Sequence, residues 1–244
     1  EVIRNRLVVD EGDPLNELLF NKSIDRVKGL GIFKKVESKI SSGSDENLKV
    51  VDITVEEQPT GEISLAAGVG TSGKTIGGGV MERNFLGKGI NLNTNLEISE
   101  ERVLGKFIYS KPNFNYTDNT LFTSVTSSNT DRLTDFGYET TELGFSIGTK
   151  FEQYENLFFS PEIDLSIEDL ETIQKESSNL KKQAGNYKDL YFNYGLDYDL
   201  RNSTYKPSSG SKSTFFQKVP IVSGNNELTN TVVLATYKQL NKET

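Results

Sequence analysis

The sequence predicts a mainly β protein: an antiparallel transmembrane β-barrel, incomplete at about ten strands, preceded by a small α+β domain. Three observations carry that expectation. From Glu62 onward, apolar and polar residues alternate with period two over long stretches. Before that point a helical spacing of three and four residues holds instead. The longest uninterrupted aliphatic run is Val232-Val233-Leu234-Ala235, far short of the ~20 apolar residues a membrane-crossing helix needs.

The first domain is expected over residues 1–58. Asp13 stands before Pro14 as an N-cap before a first-turn proline, and Leu15, Leu18, Leu19, Phe20, Ile24, Val27 and Leu30 recur at helical spacing. Gly29 and Gly31 stop that helix. Two strands follow, Phe33 to Ser41 and Leu48 to Glu56, with a turn at Ser41-Ser42-Gly43-Ser44-Asp45. So small a core is marginal alone, so attachment to something larger is expected.

The second part, 59–244, reads as strand after strand. Ile90, Leu92, Thr94, Leu96 and Ile98 alternate with Asn91, Asn93, Asn95, Glu97 and Ser99. Leu143, Phe145, Ile147 and Phe151 alternate with Gly144, Ser146, Gly148 and Lys150, and Ile163, Leu165 and Ile167 with Glu162, Asp164 and Ser166. Leu190, Phe192, Tyr194 and Leu196 stand against Asn193, Gly195, Asp197 and Asp199. Strands are expected near 62–70, 75–84, 89–99, 102–112, 119–128, 138–151, 156–168, 188–201, 212–222 and 228–239, and a long extracellular loop from Glu171 to Lys188. A soluble sandwich whose polar face meets solvent fits the alternation as well. Strand length argues against it, since soluble strands average ~5–6 residues. Tyr109, Phe114, Tyr116, Tyr154, Phe158 and Tyr191 near strand ends suit an interfacial girdle.

Composition narrows the function classes. With no histidine and no cysteine, imidazole and thiolate metal sites, cysteine nucleophiles and the Ser/His/Asp triad are excluded together. The net charge of −8 and the lack of a basic stripe disfavour nucleic-acid binding. Glu162, Asp164, Asp197 and Asp199 are expected to line a hydrated lumen rather than a catalytic or calcium site. Gly77, Gly78 and Gly79 precede no helix, so they do not cradle phosphate. They are expected to thin and bend a strand. Neither enzyme chemistry, nor a metal, nor a cofactor is expected.

The joint between the two parts carries a more specific signal. Val55-Glu56-Glu57-Gln58-Pro59-Thr60-Gly61, a strand with Gly68 and Gly70, a Gly-rich second strand, and Glu82-Arg83-Asn84-Phe85-Leu86-Gly87-Lys88-Gly89 resemble the BamA family of outer-membrane assembly proteins. Upstream, Leu30-Gly31-Ile32-Phe33-Lys34-Lys35-Val36 is similar to the end of a helix in the last POTRA domain. Downstream, Tyr194-Gly195-Leu196-Asp197-Tyr198-Asp199 resembles the mid-barrel region. The resemblance implies a POTRA domain at 1–58 lacking its first strand, and the first part of a barrel that in the family has about sixteen strands. The family's Arg-Gly-Phe lid motif and terminal aromatic strand have no counterpart here, so a fragment is expected.

The resemblance also implies a function: folding and insertion of client β-barrels by strand templating at the barrel seam. The seam strand would be Glu62, Ile63, Ser64, Leu65, Ala66, Ala67, Gly68 and Val69. The POTRA domain would pass clients along by edge pairing at Val36, Glu37, Ser38, Lys39 and Ile40. Implied partners are unfolded outer-membrane β-barrel clients, outer-membrane lipids and assembly-machinery lipoproteins. The implied location is the outer membrane of a Gram-negative bacterium, with the POTRA domain in the periplasm. A passive pore or a two-partner-secretion type of transporter remains the alternative.

Overall fold

A computed structural model describes residues 2–45, 47–70, 73–173, 178–202, 207–224 and 227–239. The chain divides into two compact units, Glu1–Ile63 with Val80–Leu92, and Ser64–Gly79 with Asn93–Thr244.

In the first unit a 3-10 turn at Arg4–Arg6 precedes helix α1, Glu17–Lys28. The cap is Asn16, not Asp13 as the sequence suggested. Asn16 is extended, and its Oδ1 accepts from the backbone N–H of Leu18 (3.0 Å) and Leu19 (3.2 Å). Asp13 instead closes a turn, its Oδ2 accepting from the Asp10 amide at 3.0 Å. The buried face is Phe20, Ser23, Ile24 and Val27, an i, i+3, i+4, i+7 stripe. Leu18, two positions from Phe20, falls on the opposite side and is exposed. Ser23 belongs to the stripe because its hydroxyl accepts from the Val8 amide (2.8 Å) and donates to the Leu19 carbonyl (2.9 Å), tying the N-terminal segment to the helix.

The helix ends at Gly29, and Gly31 turns the chain at φ +67. Strand β1, Phe33–Ser42, then pairs antiparallel with β2, Lys49–Glu57, placing Val36 opposite Val55 and Ile40 opposite Val51. The turn forms where expected, with the Gly43 amide donating to the Leu48 carbonyl at 2.8 Å.

All ten remaining strands form. They are β3 (Gly61–Gly70), β4 (Gly73–Phe85), β5 (Ile90–Ser99), β6 (Arg102–Lys111), β7 (Thr120–Arg132), β8 (Tyr138–Tyr154), β9 (Leu157–Thr172), β10 (Gly185–Asp199), β11 (Ser209–Val222) and β12 (Thr229–Lys238). They make one sheet in chain order, β3 at one end and β12 at the other, with no closing pair between them among the described residues. From β6 to β12 every neighbouring pair is antiparallel.

The loop expected over Glu171 to Lys188 is mostly strand and helix. Strand β9 runs to Thr172, a short helix α2 spans Ser178–Gln183, and β10 starts at Gly185, opposite Leu170. Residues 174–177 lie outside the described residues. Polar side chains on both faces hide a strand from periodicity, yet once the strand leaves the membrane nothing requires an apolar face. Backbone pairing alone carries β9 and β10 past the alternating core.

Burial in the second unit is reversed relative to a soluble sheet. Phe145 (44% exposed) and Leu165 (48%) point away from the protein, whereas Ser146 (5%) and Asn193 (3%) are buried. A soluble sandwich would bury the phenylalanine and the leucine. Apolar-out and polar-in is the arrangement of a sheet whose outer solvent is lipid, and this decides between the two folds the alternation allowed. The outward face also carries a run of aromatic contacts from β8 to β11: Phe151 with Phe159 (5.7 Å), Phe159 with Tyr194 (6.2 Å) and Tyr194 with Phe215 (6.1 Å between ring centres).

Two of the residues expected in an aromatic girdle face the other way. Phe158 and Tyr191 share the polar face, beneath Lys150 (5.2 Å to the ring centre) and Lys218 (3.7 Å) respectively. The side chain of Tyr116 lies outside the described residues.

Candidate functional site at the open strand edge

Strand β3 holds all eight residues expected at a seam, from Glu62 to Val69, and every position of the strand is exposed. Ile63 (77%), Leu65 (86%) and Val69 (83%) lie two and four residues apart on one face. β3 pairs with β4 on one side only, so its other row of N–H and C=O groups has no strand against it among the described residues. Ala66, Ala67, Gly68 and Gly70 leave the strand thin: a Cβ built at Gly68 or Gly70 meets nothing within 4 Å. Little side-chain packing then opposes a change of partner along this edge.

In β4, neighbouring side chains crowd the glycines. A Cβ on Gly79 would stand 2.5 Å from Asn95 Oδ1 and 3.0 Å from Ser64 Oγ, and one on Gly78 would stand 3.1 Å from Leu65. The glycines therefore let side chains of β3 and β5 lie across β4, in keeping with the expected thinning.

The base of β3 is held differently. The Thr60 hydroxyl donates to Glu82 Oε1, which also accepts from the Asn84 amide at 2.7 Å. Arg83 Nη2 donates to Glu62 Oε2 at 2.8 Å. Asn84 Oδ1 accepts from the Gly89 amide at 2.8 Å and closes the turn to β5, in which Leu86, Gly87 and Gly89 have φ of +57, +68 and +65. Sequence reasoning singled out Glu82-Arg83-Asn84 as a motif but gave it no task.

The residues expected at a second edge, Val36, Glu37, Ser38, Lys39 and Ile40, all lie in β1, paired in register with Val55 back to Val51. Because β1 and β2 form a two-stranded sheet, the outer edge of β1 has no partner strand among the described residues. Lys35 and Glu37 form an exposed ion pair beside it at 2.6 Å.

The polar face of β8 to β11 is a ladder of paired charges. Asp197 accepts from Lys150 Nζ (2.7 Å) and Thr214 Oγ1 (2.6 Å), with Lys212 at 3.8 Å. Asp164 faces Lys218 at 3.7 Å, and Asp199 takes a two-pronged bond from Arg201 at 2.7 and 2.8 Å. These are three of the four carboxylates expected to line the lumen. Among the described residues no group of three or more acidic side chains is placed to hold a metal ion.

The Omp85 superfamily domain matches this chain over residues 84–244. A Treponema pallidum (strain Nichols) protein described as an outer membrane protein assembly factor is 28% identical over 107 residues, 41% of this chain and 13% of that protein. In three dimensions the chain is similar to BamA from Haemophilus ducreyi lacking POTRA domains 1–3, with a TM-score of 0.76 and 20% identity over 99% of this chain. It is also similar to CdiB from Acinetobacter baumannii, with a TM-score of 0.59 and 12% identity over 96% of this chain. The chain spans 49% and 46% of those two structures, so their likeness is one of fold over about half their length. Because the family match runs from Asn84 at the end of β4 through every later strand of the inside-out sheet, the chain belongs to the Omp85 superfamily and has a BamA-like fold.

Proposed function

We propose that this chain is the seam-bearing part of an outer-membrane assembly factor, which folds and inserts client β-barrel proteins by pairing their strands with β3. The observation that carries the reading is the thin strand β3, with Ala66, Ala67, Gly68 and Gly70, at the end of a sheet whose outer face is apolar. In hydrocarbon each unsatisfied backbone group costs several kcal/mol, so such an edge recruits a strand. No nucleotide or metal is needed, because the free energy comes from the hydrogen bonds and apolar burial of the client itself. The unit built from α1, β1 and β2 acts as a POTRA domain on the periplasmic side. It passes unfolded clients along at Val36–Ile40 and meets the assembly lipoproteins, while outer-membrane lipids contact the apolar face of the sheet.

Blocking the edge tests this. The chain has no cysteine, so Gly68→Cys in the intact protein is labelled by a bulky maleimide at one position. Client assembly should then fall at least about tenfold if β3 templates strands. The same label at Glu162→Cys, on the polar face, should leave assembly unchanged.

The charge ladder around Asp197 favours a second reading, a passive pore whose polar face carries the traffic. On that reading the Glu162→Cys label reduces planar-bilayer conductance, and the Gly68→Cys label has no effect.

A further inference from the structure

We infer that Thr60, Glu62, Glu82 and Arg83 form a clasp that pins the base of β3 to β4 and so sets the register in which an incoming strand pairs; this rests on the seam reading of β3. Glu82 and Arg83 are adjacent in β4 and so point to opposite faces. One holds Thr60, just before β3 begins, and the other holds Glu62, just after. The start of β3 is therefore gripped from both sides. A carboxylate accepting both a hydroxyl and a backbone N–H makes the stronger, charge-assisted kind of hydrogen bond.

Beyond Ile63 the grip ends. Ser64 Oγ reaches the Gly79 carbonyl only at 3.5 Å, and Leu65 to Gly70 carry no polar side chain with which to bond β4. β3 is thus tied to β4 by side chains at one end and by backbone pairing alone along the rest. A template needs this division. A strand that slips by one residue turns every client side chain to the wrong face, so one fixed point must define the register while the remaining backbone stays available. The turn behind the clasp is locked as well, through Asn84 to Gly89, so Glu82 is held on a rigid element. These four are positioning residues: they touch β3 and β4, not the client.

The test combines two readouts in the intact protein. With Gly68→Cys, disulfide mapping against single cysteines along the last strand of an outer-membrane barrel precursor should concentrate on one client position. Adding Glu82→Ala should spread the crosslinks over positions two residues to either side. The same substitution should speed amide exchange at residues 61–63 about tenfold. Glu82→Gln, which keeps an acceptor oxygen, should stay within about threefold of the parent, and Thr60→Val, which leaves β4 intact, should act in the direction of Glu82→Ala. The charge swap Glu62→Arg with Arg83→Glu should restore the parent pattern. Unchanged exchange and unchanged crosslink register in Glu82→Ala and Thr60→Val would overturn the clasp while leaving the seam reading intact. If Gly68→Cys captures no precursor in the parent protein, the seam reading is overturned, and the clasp loses its role in templating.

Discussion

Phe145 on β8 and Leu165 on β9 face each other across the sheet, each nearly half exposed, while the next pair along, Ser146 and Asp164, turns to the opposite face. That single step of register separates lipid from water in the second unit. A charge placed on the lipid side should be costly. Leu165→Arg is expected to destabilise the membrane-inserted protein by about 2–4 kcal/mol, measured by urea titration in lipid vesicles. Ser166→Thr, one residue along on the polar face, should change it by less than about 1 kcal/mol.

On that polar face Lys150 and Asp197 form an ion pair at 2.7 Å. Lys150 is only partly covered, and Asp197 keeps Thr214 and Lys212 if Lys150 is lost. The expected cost of Lys150→Met is therefore about 1 kcal/mol. A double-mutant cycle with Asp197→Asn should return a coupling of similar size.

Gly148 sits under the Phe122 ring, and a Cβ there would lie 2.4 Å from that ring and 2.7 Å from the Pro161 carbonyl on the neighbouring strand. The ring can move, but the backbone oxygen cannot. Gly148→Ala should destabilise the protein by about 1–3 kcal/mol through overpacking, read in the same urea titration. Gly68→Ala, with open space around it, should not.

In the first unit the cap assignment is testable by itself. Asn16→Ala should cost about 1 kcal/mol in thermal or urea unfolding, and Asp13→Ala markedly less, since Asp13 closes only a local turn.

The strands were legible because the membrane imposes a simple rule on sequence: in Leu143 to Ile147 and Ile163 to Ile167 one face is apolar at every second position. Where that rule lapses, the sequence misleads. Asn186 to Lys188 are polar on both faces, so they looked like loop, although they pair with Asp169 to Ile167. Phe158-Phe159 and Leu190-Tyr191-Phe192 are apolar at consecutive positions, so residue type could not say which aromatic faces out. Phe158 and Tyr191 turned out to carry lysines on the polar face. The cap was misplaced because Asp13 before Pro14 satisfies the usual pattern, while Asn16 satisfies the geometry. β3 was named as a seam from a family resemblance, and the fold shows its place at the end of the sheet and its small side chains. The bonds from Glu82 and Arg83 to the start of β3 were not readable, because they join residues more than twenty positions apart whose register no local pattern fixes.

The most direct measurement is crosslinking of an outer-membrane barrel precursor, during its assembly, to single cysteines at Ser64, Gly68 and Glu162 of the intact protein. If β3 is the templating edge, Ser64→Cys and Gly68→Cys capture the precursor and Glu162→Cys does not. Capture at Glu162→Cys with none at Ser64→Cys or Gly68→Cys would move the traffic to the polar face and contradict a functional edge at β3.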